Sequence, residues 1–382
     1  MTSANETQSK RYRPAHDAAL ALADGRVFRG RGFGAHADAA GEVVFTTTMT
    51  GYQEVCTDPS FKGQLVCMTY PLIGNYGVVA DDDESRRPWV SALIVREHSD
   101  HPSNWRSTGT IDTYLKDNGI PGISGIDTRA LTRHIRSVGD TRGVLVRDAA
   151  GLSDDELVER AKAAPLPGEQ PVVEEVSDDR VVTEGSEDGP HIVVLDCGVK
   201  RNIIRALLKR GARVTSVPYG TNFADIAALN PDGVIVSPGP GDPANLDDGL
   251  DVVRALLDQK LPYFGICLGH QLLARAIGAD TEKLKFGHRG GNHPVLDTRS
   301  DHVSITAQNH GYVVTTDSLP SDSGWRVALV NLNDGSVEGF AHESLPVLSV
   351  QFHPEASPGP LDNGYLFDEF LDMVNTRVAA TR

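Results

Sequence analysis

Three short stretches of the chain hold residue types that could do chemistry together. In YFGICLGHQLLARAIGA, Cys267 lies between Gly265 and Gly269, where an apolar strand-like run gives way to a helical pattern. Gly-x-Cys-x-Gly has the spacing of a nucleophile elbow, with cysteine in the serine position. Such a strand-to-helix turn is too sharp for side chains on either flank. It pushes the sulfur out at the C-terminal edge of a sheet, where open α/β folds bind ligands. The helix N-terminus that follows favours the thiolate, and the amide of Leu268 becomes a natural oxyanion donor. The competing reading is a buried small apolar residue, since cysteine is among the residue types most often buried. The two glycines and the strand–helix switch favour the nucleophile.

A thiolate that attacks an amide needs a proton carrier and a residue to orient it. LSVQFHPEASPGP offers His353 and Glu355. Residues two apart in an extended segment point to the same side. Glu355 can then hold one ring nitrogen of His353 while the other faces the sulfur, and Pro354 stiffens the link. The chain has 13 histidines, so spacing alone does not separate His353 from a surface His-Pro-Glu turn. SPGPGDP, residues 237–243, reads as a glycine–proline turn. It is not a phosphate loop, because no Gly-Lys-Ser/Thr follows. Its place at the same sheet edge makes Gly239 a candidate second oxyanion amide. AQNHGYVV sets Asn309, Gly311 and Tyr312 between two strand-like runs, as a polar cluster or as a plain hairpin turn.

These residues need a scaffold, and the pattern from His191 onward supplies one. HIVVLD, ARVTSVPY, GVIVSPG and LPYFGIC read as short strands. They alternate with the helical patterns VKRNIIRALLKRG, GLDVVRALLDQK and HQLLARAIG. Alternation of this kind predicts right-handed crossovers and an open, mostly parallel, doubly wound α/β sheet. Further strands and a terminal helix, GYLFDEFLDMVNTRV, complete a domain over 191–382. Residues 14–152 read as a β-rich α+β N-terminal domain, with VVFTTTMTGY and QLVCMTYPLIGNYGVV strand-like. GIDTRALTRHIRSVG is a helix there, with Asp127 as N-cap and Gly139 as stop. Residues 153–190 are acidic and turn-rich and read as a connector. Residues 1–13 read as a mobile tail.

Composition narrows the class. The 382 residues suit two domains, and the net charge of −16 argues against nucleic acid and anionic membranes as partners. No stretch approaches a signal peptide or a membrane span. The four cysteines, Cys56, Cys67, Cys197 and Cys267, are scattered without a CxxC pair. No metal site or disulfide framework is expected, and the cytoplasm is the simplest compartment.

Taken together and in this order, SPGPGDP, FGICLGHQ and QFHPEASPGP resemble the class I, or triad-type, glutamine amidotransferases. MTGYQEVCTDPSF, YPLIGNYGV, GIDTRALTRHIR and DCGVKRNIIRAL further resemble the small-subunit family of carbamoyl-phosphate synthetase, over nearly the whole chain after residue 15. Two positions depart from the family pattern: Cys56 stands where an aliphatic residue is expected, and Thr46 where asparagine is common.

The resemblance implies a triad of Cys267, His353 and Glu355. It implies that L-glutamine is held by Ser60 of the N-terminal domain, by Gly239, Gly241, Leu268 and Gln271, and by Asn309, Gly311 and Tyr312. It implies hydrolysis of glutamine to glutamate through a cysteinyl thioester. The ammonia would pass to a large synthetase subunit, which makes carbamoyl phosphate for arginine and pyrimidine synthesis. No cofactor is expected on this chain; ATP and Mg2+ are expected on that partner. Two rival readings are a γ-glutamyl cysteine hydrolase, which the N-terminal motifs disfavour, and a non-catalytic scaffold, which an intact Cys-His-Glu set disfavours.

Overall fold

A computed structural model describes residues 16–381; the expected tail over 1–13 lies outside the described residues. The N-terminal β-rich region closes on itself. Seven strands run in the spatial order Ala18–Leu22, Val27–Gly34, Pro121–Ser124, Ala92–Ile94, Gln64–Met68, Ala39–Thr46 and Thr141–Arg147, and the last pairs back with the first. Closure removes the unpaired edges that an open sheet would expose. Side chains alternate between faces along a strand. Leu20 and Leu22 therefore join Val43, Leu65 and Ile94 in one buried cluster, while Ala19 and Ala21 join another.

The helix Thr128–Val138 packs on the first cluster through Leu131 and Ile135, four residues apart and fully buried. Burying each side chain contributes about 1.5–3 kcal/mol. Asp127 caps the helix by accepting from the Ala130 amide at 2.9 Å, and Gly139, at φ 106°, ends it.

The second half is built on a six-stranded sheet. Its order is Val182–Glu184, Arg213–Pro218, His191–Asp196, Gly233–Val236, Tyr263–Ile266 and Val347–Val350, parallel except for the first strand. Both faces are covered. Val193 and Leu195 pack with the helices Asp247–Asp258 and Leu268–Ala276. Ile192 and Val194 pack with Arg201–Lys209 and the C-terminal helix Tyr365–Thr381. This is the open, mostly parallel, doubly wound α/β sheet that the strand–helix alternation predicts.

A four-stranded antiparallel sheet, in the order His302–Val314, Thr281–Asp297, Trp325–Asn331 and Val337–His342, flanks it. Here the structure differs from the sequence reading. Asn309, Gly311 and Tyr312 lie inside one continuous strand, not in a hairpin turn. Seventeen residues of a strand, Thr281–Asp297, cover the polar, glycine-containing FGHRGGNHP. Two register shifts absorb its irregularity.

Residues 153–190 are tied to both halves. The helix Asp154–Lys162, with a capping box between Ser153 and Glu156, packs Leu157 and Ala161 on the barrel. Val182–Glu184 adds an antiparallel edge to the six-stranded sheet. Among the described residues, no helix is long and apolar enough to cross a membrane.

Candidate active site

The strand Tyr263–Ile266 delivers Cys267 into a backbone conformation that side chains rarely adopt, φ 51° and ψ −100°. Such strain costs of order 1–3 kcal/mol and persists where the surroundings enforce it. They do so here through two hydrogen bonds: the Cys267 amide donates to the Val350 carbonyl at 2.8 Å, and the Cys267 carbonyl accepts from the Gln271 amide at 3.1 Å. The flanking glycines are sterically required. A Cβ on Gly269 would lie 2.2 Å from the Val236 carbonyl oxygen, and one on Gly265 would lie 2.7 Å from that of Gly269.

Cys267 is buried, its Sγ 3.8 Å from the Asn309 carbonyl and 3.6 Å from the Gln351 amide nitrogen. The Leu268 amide opens the helix Leu268–Ala276 and has no intrahelical acceptor. Gly239 packs against the Leu268 side chain and the Cys197 carbonyl, which would stand 2.8 and 2.3 Å from an added Cβ.

His353 Nδ1 donates to Glu355 Oε1 at 2.7 Å, with both residues buried. The His353 amide donates to the Ala307 carbonyl at 2.8 Å and anchors the ring against the four-stranded sheet. The pair does not form along an extended strand. The strand ends at Val350, and the Ala356 amide donates back to the His353 carbonyl at 3.2 Å, so a turn brings the carboxylate to the ring.

With Nδ1 committed to Glu355, Nε2 is the free nitrogen, and it is buried without a partner in the fold. Burial works against the imidazolium, but Glu355 and Cys267 raise His353 above its ordinary range. Burial likewise works against the Glu355 carboxylate, and Lys200 and His353 overcome it, holding the group below its ordinary range.

Lys200 was not singled out in the sequence reading. Its ammonium lies 3.0 Å from Glu355 Oε1 and also donates to the Ala356 carbonyl. DCGVKRNIIRAL contains it, but a lysine just before a helical pattern reads locally as a solvated charge. Gln351 was also missed; it links Cys267 to Gln271, whose Nε2 donates to Gln351 Oε1 at 3.1 Å and to the Tyr312 carbonyl at 2.9 Å.

A cleft opens beside the sulfur at the junction of the two halves. Ser60, Gly239, Gly241, Gln271, Asn309, Gly311 and Tyr312 line it together with Cys267. Leu268 is not among the lining residues. The Ser60 hydroxyl is buried and has no partner within the fold. Asp58 ties the two sides of the cleft together, accepting from the Ser60 amide at 2.9 Å and from Asn309 Nδ2 at 2.8 Å. Pro167 and Gly168 of the connector also line the cleft, which no local motif announces. The wall is held by the buried ion pair Arg289–Asp140 at 3.0 Å and by Lys283–Glu42 at 2.6 Å, each joining the two halves. Cys56 is fully buried, the core role its position suggests.

Comparison with known proteins shows the family. Residues 193–373 match the family "Glutamine amidotransferase class-I", and residues 20–145 match "Carbamoyl-phosphate synthase small chain, CPSase domain". The chain is 51% identical to the carbamoyl phosphate synthase small chain of Listeria monocytogenes serotype 4b, over 93% of this chain and 96% of that protein. It is 49% identical to that of Symbiobacterium thermophilum, over 94% and 99%. It is 51% identical to that of Methanopyrus kandleri, over 93% and 98%.

Proposed function

Since the chain belongs to the carbamoyl phosphate synthase small-chain family and is a glutamine-hydrolysing amidotransferase subunit, we propose that Cys267, His353 and Glu355 release ammonia from L-glutamine through a thioester. The observation that carries this reading is the buried His353–Glu355 pair at 2.7 Å beside a strained cysteine, at a cleft lined from both halves.

Glutamine's side-chain carboxamide enters next to Cys267, oriented by Ser60, Gly241, Gln271, Asn309, Gly311 and Tyr312. The thiolate adds to the carbonyl carbon. The oxygen takes the charge, facing the amides of Leu268 and Gly239. As the C–N bond breaks, imidazolium His353 gives its Nε2 proton to the departing nitrogen, and ammonia leaves. Neutral His353 then takes a proton from water, whose oxygen attacks the thioester. The C–S bond breaks, Cys267 leaves as the thiolate beside the imidazolium, and glutamate departs with its new carboxyl proton lost to solvent. Glu355 fixes the tautomer and stabilises the cation throughout, as the aspartate does in serine triads. Lys200 keeps Glu355 ionised in a buried setting, where an uncompensated carboxylate would take up a proton.

The ammonia is used elsewhere. The sequence carries no nucleotide-binding motif, and a large ATP- and Mg2+-using synthetase subunit would convert bicarbonate and ammonia into carbamoyl phosphate for arginine and pyrimidine synthesis, in the cytoplasm. The test is Cys267→Ser in the assembled complex. Glutamine-dependent synthesis is expected to vanish while ammonia-dependent synthesis persists. Normal use of glutamine by the variant would overturn the assignment.

A further inference from the structure

Behind the strand that carries Asn309, Gly311 and Tyr312, three ionisable side chains converge that glutamine hydrolysis leaves unused. His288 and His310 are direct cross-strand partners on Thr281–Asp297 and His302–Val314, so their side chains share a face. Glu338 reaches them from Val337–His342. All three are buried, and one potential ligand atom from each lies within 4.8 Å of the other two.

Their hydrogen bonding is incomplete in a particular way. His288 donates from Nε2 to Asp334 Oδ2 at 2.8 Å and leaves Nδ1 buried without a partner. A carboxylate behind an imidazole is the outer contact that orients a metal-binding histidine. His310 donates from Nδ1 to the Tyr312 carbonyl at 2.8 Å, which leaves Nε2 as a bare lone pair. Yet Nε2 faces the side-chain oxygen Oε1 of Gln308 at 2.8 Å. With the ring neutral, two acceptors meet there.

Turning the Gln308 amide over moves the conflict to an ionised Glu338, both of whose oxygens accept from the Gln308 nitrogen at 3.0 Å. A cation on His310 Nε2 removes it. His293 stands beside the cluster, its ring centroid 5.1 Å from that of His288 and its Nδ1 also buried without a partner.

We propose that His288 Nδ1, His310 Nε2 and the Glu338 carboxylate form a site for one borderline divalent cation of the Zn2+ type, pinning together the three strands behind the glutamine cleft. Two imidazoles and a carboxylate are a donor set suited to such ions. A tetrahedral zinc holds its donors about 3.3 Å apart, so the side chains must draw in by up to roughly 1.5 Å. Gln308 must also swing out from between His310 and Glu338, keeping its contact with Thr306 Oγ1. The site does not include Cys267, and His310, which also lines the glutamine cleft, is where the two adjoin.

The test uses the full chain carrying Cys267→Ser, so that the thiol at the cleft cannot hold metal. The protein is stripped with a chelator and titrated with Co2+. One equivalent is expected to bind, with the visible absorption of a low-coordinate nitrogen–oxygen site, and Zn2+ is expected to displace it. Glu338→Gln and His288→Ala should each weaken binding by at least the roughly 10–100-fold that loss of an outer partner costs, with near-UV circular dichroism unchanged, while His36→Ala at the surface leaves it as it was. An anomalous-scattering peak between the three side chains in Co2+-soaked crystals supports the site even where a variant fails to fold. No stoichiometric binding, binding that survives both substitutions, or a peak elsewhere overturns the proposal.

Discussion

The Lys200 ammonium sits 3.0 Å from the Glu355 carboxylate, and neither side chain reaches solvent. Removing one partner of a buried pair strands the other, which costs about 3–5 kcal/mol, whereas replacing both is far milder. Lys200→Met should therefore lose about that much stability in urea unfolding. Lys200→Met combined with Glu355→Gln should regain more than half of the loss, and glutaminase activity should fall in both. Losses that simply add would show that the contact is not a coupled pair.

The His353–Glu355 pair sets a pH window. Against the effect of burial, Glu355 and Cys267 raise His353 from 6.5 to about 10. A raised basic group stabilises fully below its unfolded value and loses that stabilisation as pH climbs towards the folded one. Against the same effect, Lys200 and His353 lower Glu355 from 4.5 to about 2. Its contribution is present above 4.5 and is lost as pH falls through about 2. Both are complete only between 4.5 and 6.5. The difference in Tm between the protein and His353→Asn should be widest in that interval and shrink as pH rises towards 10. A difference that grows with alkalinity contradicts this sign.

What the sequence disclosed follows from the range of the forces involved. The elbow at Cys267 was legible because its glycines answer a clash within a few residues: Gly269 meets the Val236 carbonyl of the adjoining strand. The helix Thr128–Val138 was legible for the same reason, since its cap and stop are local. Lys200 was not, because its partner Glu355 is 155 positions away and only folding buries both. Asp58, which joins Ser60 to Asn309, was hidden by the same separation. The strand Thr281–Asp297 was missed because its polar, glycine-rich middle lacks the period-2 alternation of a half-buried strand; pairing with His302–Val314 supplies what propensity does not.

Two glycines near the cleft, Gly269 of the elbow and Gly311 of the strand His302–Val314, differ in how tightly they are held. An added methyl on Gly269 meets backbone at 2.2 Å, whereas one on Gly311 meets only the Arg289 side-chain nitrogen at 3.4 Å. Overpacking a fixed site typically costs 1–3 kcal/mol. Gly269→Ala should fall at the upper end of that range and lower glutamine turnover with it. Gly311→Ala should leave the unfolding midpoint nearly unchanged. Equal midpoints for the two would mean that the turn relaxes freely.

Ser60 separates binding from folding. Its hydroxyl is buried at the cleft and bonds nothing within the fold, so removing it strands no protein group. A hydrogen bond to substrate lost in this way is worth about 0.5–1.5 kcal/mol. Ser60→Ala should therefore raise KM for glutamine by roughly 2–12-fold, with kcat and Tm close to those of the unmodified chain. Asp58→Ala should behave differently, raising KM and lowering Tm together, because Asp58 accepts from both Ser60 and Asn309 across the junction of the two halves. If Ser60→Ala lowers Tm as Asp58→Ala does while KM stays fixed, the hydroxyl serves the fold and not the substrate.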